Sequence, residues 1–78
     1  MDPRVELLSR PGCHLCETAR RVVRVVCEGR GQGWVERNVD DDPHLAQTYG
    51  ELVPVVLVDG EQVGYYRIDP DRLRAALG

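Results

Sequence analysis

Strand and helix signals alternate along this 78-residue chain, and that alternation limits its possible folds more than any other feature. Short apolar runs rich in Val and Leu are typical of strands, and four strand-like segments occur, at residues 5–8, 34–39, 53–58 and 61–64. Segments with helical spacing or helix-start signals lie at residues 15–28, 43–49 and 70–77. With right-handed crossovers, this β-α-β-α-β-β-α order predicts an α/β fold with a four-stranded mixed sheet and helices on both faces.

The boundaries of these elements carry recognisable local signals. Asp42-Pro43 and Asp69-Pro70 each combine an N-cap residue with proline at the first helical position. Asp59-Gly60 is the dipeptide preferred in two-residue hairpin turns, so it predicts that the last two strands are antiparallel neighbours. A chain of this length has room for one core, and we expect a single domain over residues 1–78.

Two cysteines lie where the first strand leads into the first helix, in the motif Cys13-His14-Leu15-Cys16. If the helix starts there, both thiols share one face, and their Cα atoms fall within the roughly 4.4–6.8 Å that a disulfide tolerates. The helix N-terminus favours a thiolate, so we expect the pKa of Cys13 to lie below the roughly 8.5 of free cysteine. Cys13 is then the nucleophile, and the more buried Cys16 is the resolving thiol.

The composition of the chain limits the classes of partner and the cellular compartment that we expect. The formal net charge of −3 gives no reason to expect nucleic acid or a membrane surface as partner, and no apolar run has the length of a membrane span. Met1-Asp2-Pro3-Arg4 leads straight into the first strand, so we expect no signal peptide. Three cysteines are not the even set of a secreted scaffold, so we expect a reducing, cytoplasmic environment. We also expect the protein to be a monomer.

Four features of the chain occur in a known order: a strand followed by Cys-x-x-Cys and a helix, the Val53-Pro54 step before a buried strand, the Asp-Gly hairpin and the final helix. With these features the whole chain resembles small bacterial glutaredoxin-like proteins of the thioredoxin-fold superfamily. The resemblance implies a dithiol disulfide oxidoreductase. It also implies that the Val53-Pro54 peptide is cis, faces the cysteines and leaves the backbone of Val53 open to pair with substrate. The implied partners are a disulfide-containing protein or glutathione, with glutathione or a reductase as electron donor and no bound cofactor or metal.

The candidate catalytic residues are Cys13 and Cys16, and the candidate substrate-binding residues are Arg10, Gly12, His14, Val53, Pro54 and Tyr65. Arg10 is either a solvated charge or a group that assists the thiolate or binds a substrate carboxylate. His14, as imidazolium, would stabilise the thiolate, or it contacts substrate. Tyr65 and Tyr66 would flank the groove if the last loop folds toward Cys13.

Two other functions stay open for the same residues. Cys13 and Cys16 could hold a metal or an iron–sulfur cluster across a dimer, although zinc commonly takes four ligands and no second such pair exists. The chain could also be a non-catalytic interaction domain, because fold alone does not prove activity. Cys27 is on the apolar face of the first helix, where we expect a buried small hydrophobe. His44 follows the Asp40–Asp42 run, which we expect to be a solvated cap that complements the helix dipole, so we do not expect His44 to bind a metal.

Overall fold

The computed structural model describes residues 3–78 of the chain. The prediction of no signal peptide rested on Met1-Asp2-Pro3-Arg4, of which Met1 and Asp2 lie outside the described residues. Within residues 3–78 the elements follow the predicted order: β1 Val5–Ser9, α1 His14–Gly29, β2 Trp34–Asn38, a 3-10 turn Val39–Asp41, α2 Pro43–Tyr49, β3 Val55–Val58, β4 Glu61–Tyr65 and α3 Pro70–Leu77.

The sheet has the strand order β2-β1-β3-β4, in which β1 is parallel to β2 and antiparallel to β3, and β3 is antiparallel to β4. Ser9 pairs with Asn38, and Val55 pairs with both Leu8 and Tyr65. Four strand termini therefore meet at one end of the sheet: the ends of β1, β2 and β4 and the start of β3. We call this the Ser9 end of the sheet.

Helices cover both faces of the sheet, as predicted. On one face α1 and α3 bury the larger core cluster with side chains of β1 and β3, including Leu7, Val23, Val26 and Leu73. On the other face a smaller cluster around Leu8, Val39, Val55 and Leu57 packs against partly buried residues of α2 and the segment after it. None of the helices in residues 3–78 has both the length and the apolarity that a membrane span requires.

Some predicted boundaries are wrong by one or two residues. β3 begins at Val55 rather than Val53, because Pro54 has no N–H to donate to a neighbouring strand. β2 ends at Asn38 rather than Val39, because the Asn38 side chain accepts the N–H of Asp40 at 2.9 Å and caps the 3-10 turn. β4 and α1 each extend slightly further than predicted.

Leu15 departs from the periodic pattern that placed it on the buried face of α1. Its side chain is 38% exposed, whereas Ala19 and Val23 on the same helix are fully buried. Leu15 lies in the first turn of α1, which starts from the loop at the Ser9 end, and the strands that bury later turns do not cover it. An exposed apolar residue is thereby placed beside the two cysteines.

The adjacent residues Val25 and Val26 of α1 allow a matched test of this core. Val26 is 1% exposed and Val25 is 61% exposed. We expect Val26→Ala to lower the free energy of unfolding by about 2 kcal/mol, because it empties a packed site. Val25→Ala gains the same helix propensity and should change stability by less than about 0.5 kcal/mol. Urea unfolding of both variants measures the difference, and equal effects would contradict the described packing of α1.

Candidate functional site

A tight turn over residues 10–12 carries the chain from β1 into α1 at the Ser9 end of the sheet. Gly12 has φ +76°, a left-handed conformation that side chains rarely adopt. A Cβ at this position would meet no atom within 4 Å, so the requirement for glycine is conformational rather than steric. The turn leaves the following residue, Cys13, at the very start of the helix.

Cys13 is the N-cap residue of α1. Its backbone is extended, and its Sγ accepts a hydrogen bond from the backbone N–H of Cys16 at 3.1 Å. The Cα atoms of the two cysteines are 5.1 Å apart, and their Sγ atoms are in contact as a disulfide. Cys16 is 1% exposed, whereas Cys13 is partly exposed. The predicted distance and the predicted difference in burial are both confirmed.

The Val53-Pro54 segment lies at the same end of the sheet, immediately before β3. The peptide between the two residues is cis, as the resemblance implied, and Pro54 is fully buried. Val53 is partly buried, and within residues 3–78 neither its N–H nor its C=O takes part in a hydrogen bond. The backbone donor and acceptor of Val53 are therefore available just before β3, at the Ser9 end of the sheet.

Tyr65 and Tyr66 lie beside the Val53-Pro54 segment, and we call this pair the tyrosine wall. Tyr66 donates its backbone N–H to the carbonyl of Pro54 at 2.8 Å and its hydroxyl to the carbonyl of Glu51 at 3.0 Å. Its φ of +58° is unusual for a residue with a side chain. The rings of Tyr65 and Tyr66 meet edge to face, with centroids 5.1 Å apart. Tyr65 was predicted as a site residue, but the fixed position of Tyr66 depends on backbone contacts that no sequence signal reveals.

Arg10 and His14 have different surroundings. The guanidinium of Arg10 makes an ion pair with Asp40 at 3.1 Å and donates a hydrogen bond to the carbonyl of Gly50, also at 3.1 Å. These contacts connect the turn before Cys13 to the end of α2. His14 is exposed and begins α1 directly after Cys13. The substrate-binding roles of both residues stay predictions.

A polar network that the sequence did not indicate lies beside the turn. Glu36 accepts two hydrogen bonds from Arg20, at 2.6 and 2.7 Å, and one from the buried hydroxyl of Ser9 at 2.7 Å. The hydrogen bond from Arg20 lowers the pKa of Glu36, burial opposes this shift, and Ser9 adds to it. Arg20 follows Cys16 by four residues and so lies on the same side of α1. The network lines a cleft of about 450 Å³ together with Arg10 and Asp41.

No group of three or more His, Cys, Asp or Glu side chains in the described part of the chain is arranged to hold a metal ion. His44, exposed in the first turn of α2, is likewise outside any such group. Cys27 is fully buried, as predicted, and burial raises the pKa of its thiol above the ordinary value. Of the three cysteines, Cys13 and Cys16 are therefore the two that the fold brings together, and Cys27 lies apart from them in the core.

A cysteine that caps a helix, a second cysteine one turn later and a cis-proline segment on a β2-β1-β3-β4 sheet define a thioredoxin-fold protein. The model of the family described as Glutaredoxin-like domain (DUF836) matches residues 4–78, and the chain belongs to that family. The uncharacterized protein Rv0508 of Mycobacterium tuberculosis is 35% identical, over 94% of this chain and 80% of that protein.

Two solved structures agree with this assignment. The X-ray structure of protein XcR50 from X. campestris has a TM-score of 0.74 and 32% identity, covering 94% of this chain and 93% of that one. A mutant thioredoxin from Halobacterium salinarum has a TM-score of 0.62 and 29% identity, covering 91% of this chain and 67% of that one. The predicted thioredoxin-like α/β fold is confirmed.

Glu36 gives a pH-dependent test of the polar network. Because its pKa is lower in the folded protein, the ionised carboxylate stabilises the fold above its ordinary value of 4.5, and this contribution is lost as pH falls through the folded pKa. Both partners are partly exposed, so we expect Glu36→Gln to cost about 1 kcal/mol at neutral pH. The difference from the wild type should shrink toward zero in acid.

The control is Glu61→Gln, on β4, which has no ion pair within residues 3–78 and should change stability little at either pH. Urea unfolding at about pH 7 and about pH 3 measures both variants. A loss for Glu36→Gln that is the same at both values would show that its charge is not what stabilises the fold.

Proposed function

We propose that this protein is a thiol–disulfide oxidoreductase in which Cys13 is the nucleophile and Cys16 is the resolving thiol. The observation that carries the proposal is the hydrogen bond from the Cys16 N–H to the Sγ of Cys13 at 3.1 Å, at the N-terminus of α1. In the dithiol form the same N–H and the positive end of the helix dipole would stabilise a thiolate on Cys13. Cys27, by contrast, is buried among apolar residues.

The two cysteines differ in access, which supports different roles in the reaction. Cys13 is partly exposed, so an incoming disulfide can approach its sulfur. Cys16 is 1% exposed and is therefore protected from disulfides in solution. It can attack the Cys13 sulfur once that sulfur is bonded to substrate in the mixed disulfide. Membership of the glutaredoxin-like family and the thioredoxin fold are consistent with this division of roles.

The reaction has two exchange steps. The Cys13 thiolate attacks one sulfur of the substrate disulfide, forms a mixed disulfide and releases the other sulfur as a thiolate, which takes a proton from solvent. Cys16 then loses its proton to solvent and attacks the Cys13 sulfur, forming the Cys13–Cys16 disulfide and releasing the second substrate thiolate. The substrate gains two electrons and the protein loses two. Two equivalents of a thiol, or one dithiol, restore the reduced protein.

The backbone of Val53 is the proposed docking edge for substrate. Its free N–H and C=O can form a pair of hydrogen bonds with an extended polypeptide, in the manner of an added strand. Gly12, His14, Pro54 and Tyr65 would border the bound segment. The proposed partner is glutathione or a disulfide-bonded protein. We propose that the protein acts as a monomer in a reducing compartment. Glutathione or a reductase is the proposed electron donor, without a bound cofactor.

Disulfide reduction by cysteine variants tests this function. With dithiothreitol as donor, we expect the protein to accelerate reduction of insulin and hydroxyethyl disulfide, and Cys13→Ser to abolish the acceleration, because it removes the nucleophile. Reduced Cys16→Ser, freed of dithiothreitol and mixed with the disulfide substrate, should accumulate a mixed disulfide that mass spectrometry detects. Cys27→Ser, the control, should retain activity. An inactive wild type would favour the non-catalytic alternative, and visible absorbance with bound iron would favour the cluster-binding one.

The three thiols should also differ in their rates of alkylation. In the reduced native protein at neutral pH, we expect iodoacetamide to modify Cys13 first and Cys27 last, because Cys27 is buried and its thiol pKa is raised. After mild oxidation, only Cys27 should be labelled once the protein is unfolded. Peptide mapping by mass spectrometry measures both patterns. A bridge between Cys27 and either other cysteine would refute the assignment of the redox pair.

A further inference from the structure

Large apolar side chains are exposed mainly at the Ser9 end of the sheet, which also carries the proposed redox site. Within residues 3–78 four such side chains are exposed, and three of them are Leu15 at 38%, Tyr65 at 49% and Tyr66 at 44%. Leu15 lies between the two cysteines, and the tyrosines lie at the end of β4, at the Ser9 end of the sheet. The fourth, Val25, lies well along α1. A bound side chain beside the site would therefore bury apolar surface on both partners.

The tyrosine wall is held in place before any partner arrives. Tyr66 is fixed by its hydrogen bonds to the carbonyls of Glu51 and Pro54, on either side of Val53, and Tyr65 packs against its ring. Tyr66 keeps this position although its φ of +58° is a conformation that residues with a side chain rarely adopt. Rigid aromatic side chains lose little conformational entropy on binding, so they are effective contact surfaces.

The same end of the molecule is acidic. The segments that meet there, residues 10–17, 38–42, 50–54 and 65–69, contain six acidic side chains and only two arginines. One of those arginines, Arg10, is paired with Asp40. With His14 neutral these segments carry a formal charge of −4, although the whole chain carries only −3. The negative charge of the protein is thus concentrated around the redox site, where it attracts cations and repels anions.

From these observations we propose that the substrate is a polypeptide disulfide with an aromatic or large apolar residue next to its reactive cysteine and with Arg or Lys nearby. The inference rests on the proposed function and specifies its substrate class. The tyrosine wall receives the apolar side chain, the acidic segments attract the basic residues, and the Val53 backbone pairs with the polypeptide. Glutathione disulfide, which carries more carboxylates than ammonium groups and no aromatic ring, is disfavoured by both the charge and the tyrosine wall.

Single-turnover reduction of peptide disulfides tests the substrate class without choosing a physiological donor. The dithiol protein is mixed with an excess of a capped peptide homodisulfide, quenched with acid at intervals and analysed for free peptide thiol. Three peptides are compared, in which the cysteine is flanked by Phe and Arg, by Gly and Arg, or by Phe and Glu. Glutathione disulfide and hydroxyethyl disulfide are measured under the same conditions. Second-order rate constants are compared at low and high salt.

We expect the Phe/Arg peptide to react about 2- to 10-fold faster than the Gly/Arg peptide, the effect of one aromatic contact. We expect it to react roughly 10-fold faster than the Phe/Glu peptide at low salt, with the charge preference reduced at high salt. Glutathione disulfide should be slower than the Phe/Arg peptide.

Variants separate the two contributions. Tyr65→Ala should remove the preference for Phe over Gly while retaining that for Arg over Glu. Asp41→Asn combined with Glu51→Gln should reduce the charge preference and retain the aromatic one, since these changes remove charge and leave the Glu51 carbonyl in place. Val25→Ala, which removes exposed apolar surface away from the site, is the control and should alter neither preference.

Equal rate constants for the three peptides, or a faster reaction with glutathione disulfide, would overturn this inference and leave the proposed function intact, provided that hydroxyethyl disulfide is reduced. Failure to reduce any of these disulfides would overturn the proposed function and the inference together. A loss of the aromatic preference in Val25→Ala as well as in Tyr65→Ala would show that the contact lies elsewhere.

Discussion

The hydrogen bond from the backbone N–H of Cys16 to the sulfur of Cys13 is the interaction on which the site depends. It gives one sulfur a structural function and a proposed chemical one, because Cys13 caps the helix and is also the proposed nucleophile. A helix start requires an acceptor for its first free N–H groups, and here that acceptor is a cysteine sulfur in place of the usual Ser, Thr, Asp or Asn side chain. The same contact satisfies the structural requirement of the helix and would stabilise the thiolate of the proposed nucleophile.

The rest of the molecule fixes where α1 begins and what surrounds its first turn. Gly12 allows the sharp turn before the helix, Arg10 connects this turn to Asp40, and the buried side chains of α1 pack on β1 and β3. Strand pairing brings four segments together at the Ser9 end of the sheet: those after β1, β2 and β4 and the one before β3. Apolar exposure, negative charge and the free backbone of Val53 coincide there. That backbone is available because Pro54 stops the strand before Val53 can be paired.

Much of the fold and the centre of the site follow from local sequence signals. The order of strands and helices, the caps at Asp42 and Asp69 and the pairing of Cys13 with Cys16 all depend on residues a few positions apart, so spacing and turn chemistry suffice to predict them. Leu15 is an exception, because helical periodicity identifies a face but cannot show which turns of that face a strand covers.

The contacts between distant segments were decided only by the tertiary structure. The bond from Tyr66 to Glu51 and the Ser9–Glu36–Arg20 network join residues that are far apart in the chain, and they depend on strand register and on the angle at which each loop leaves the sheet. Local periodicity specifies neither quantity. The sequence by itself determined the pair of cysteines proposed to react and roughly which elements carry them. The packed structure determined what surrounds those residues, because burial, charge and hydrogen bonding at the site are contributed by parts of the chain that meet only on folding.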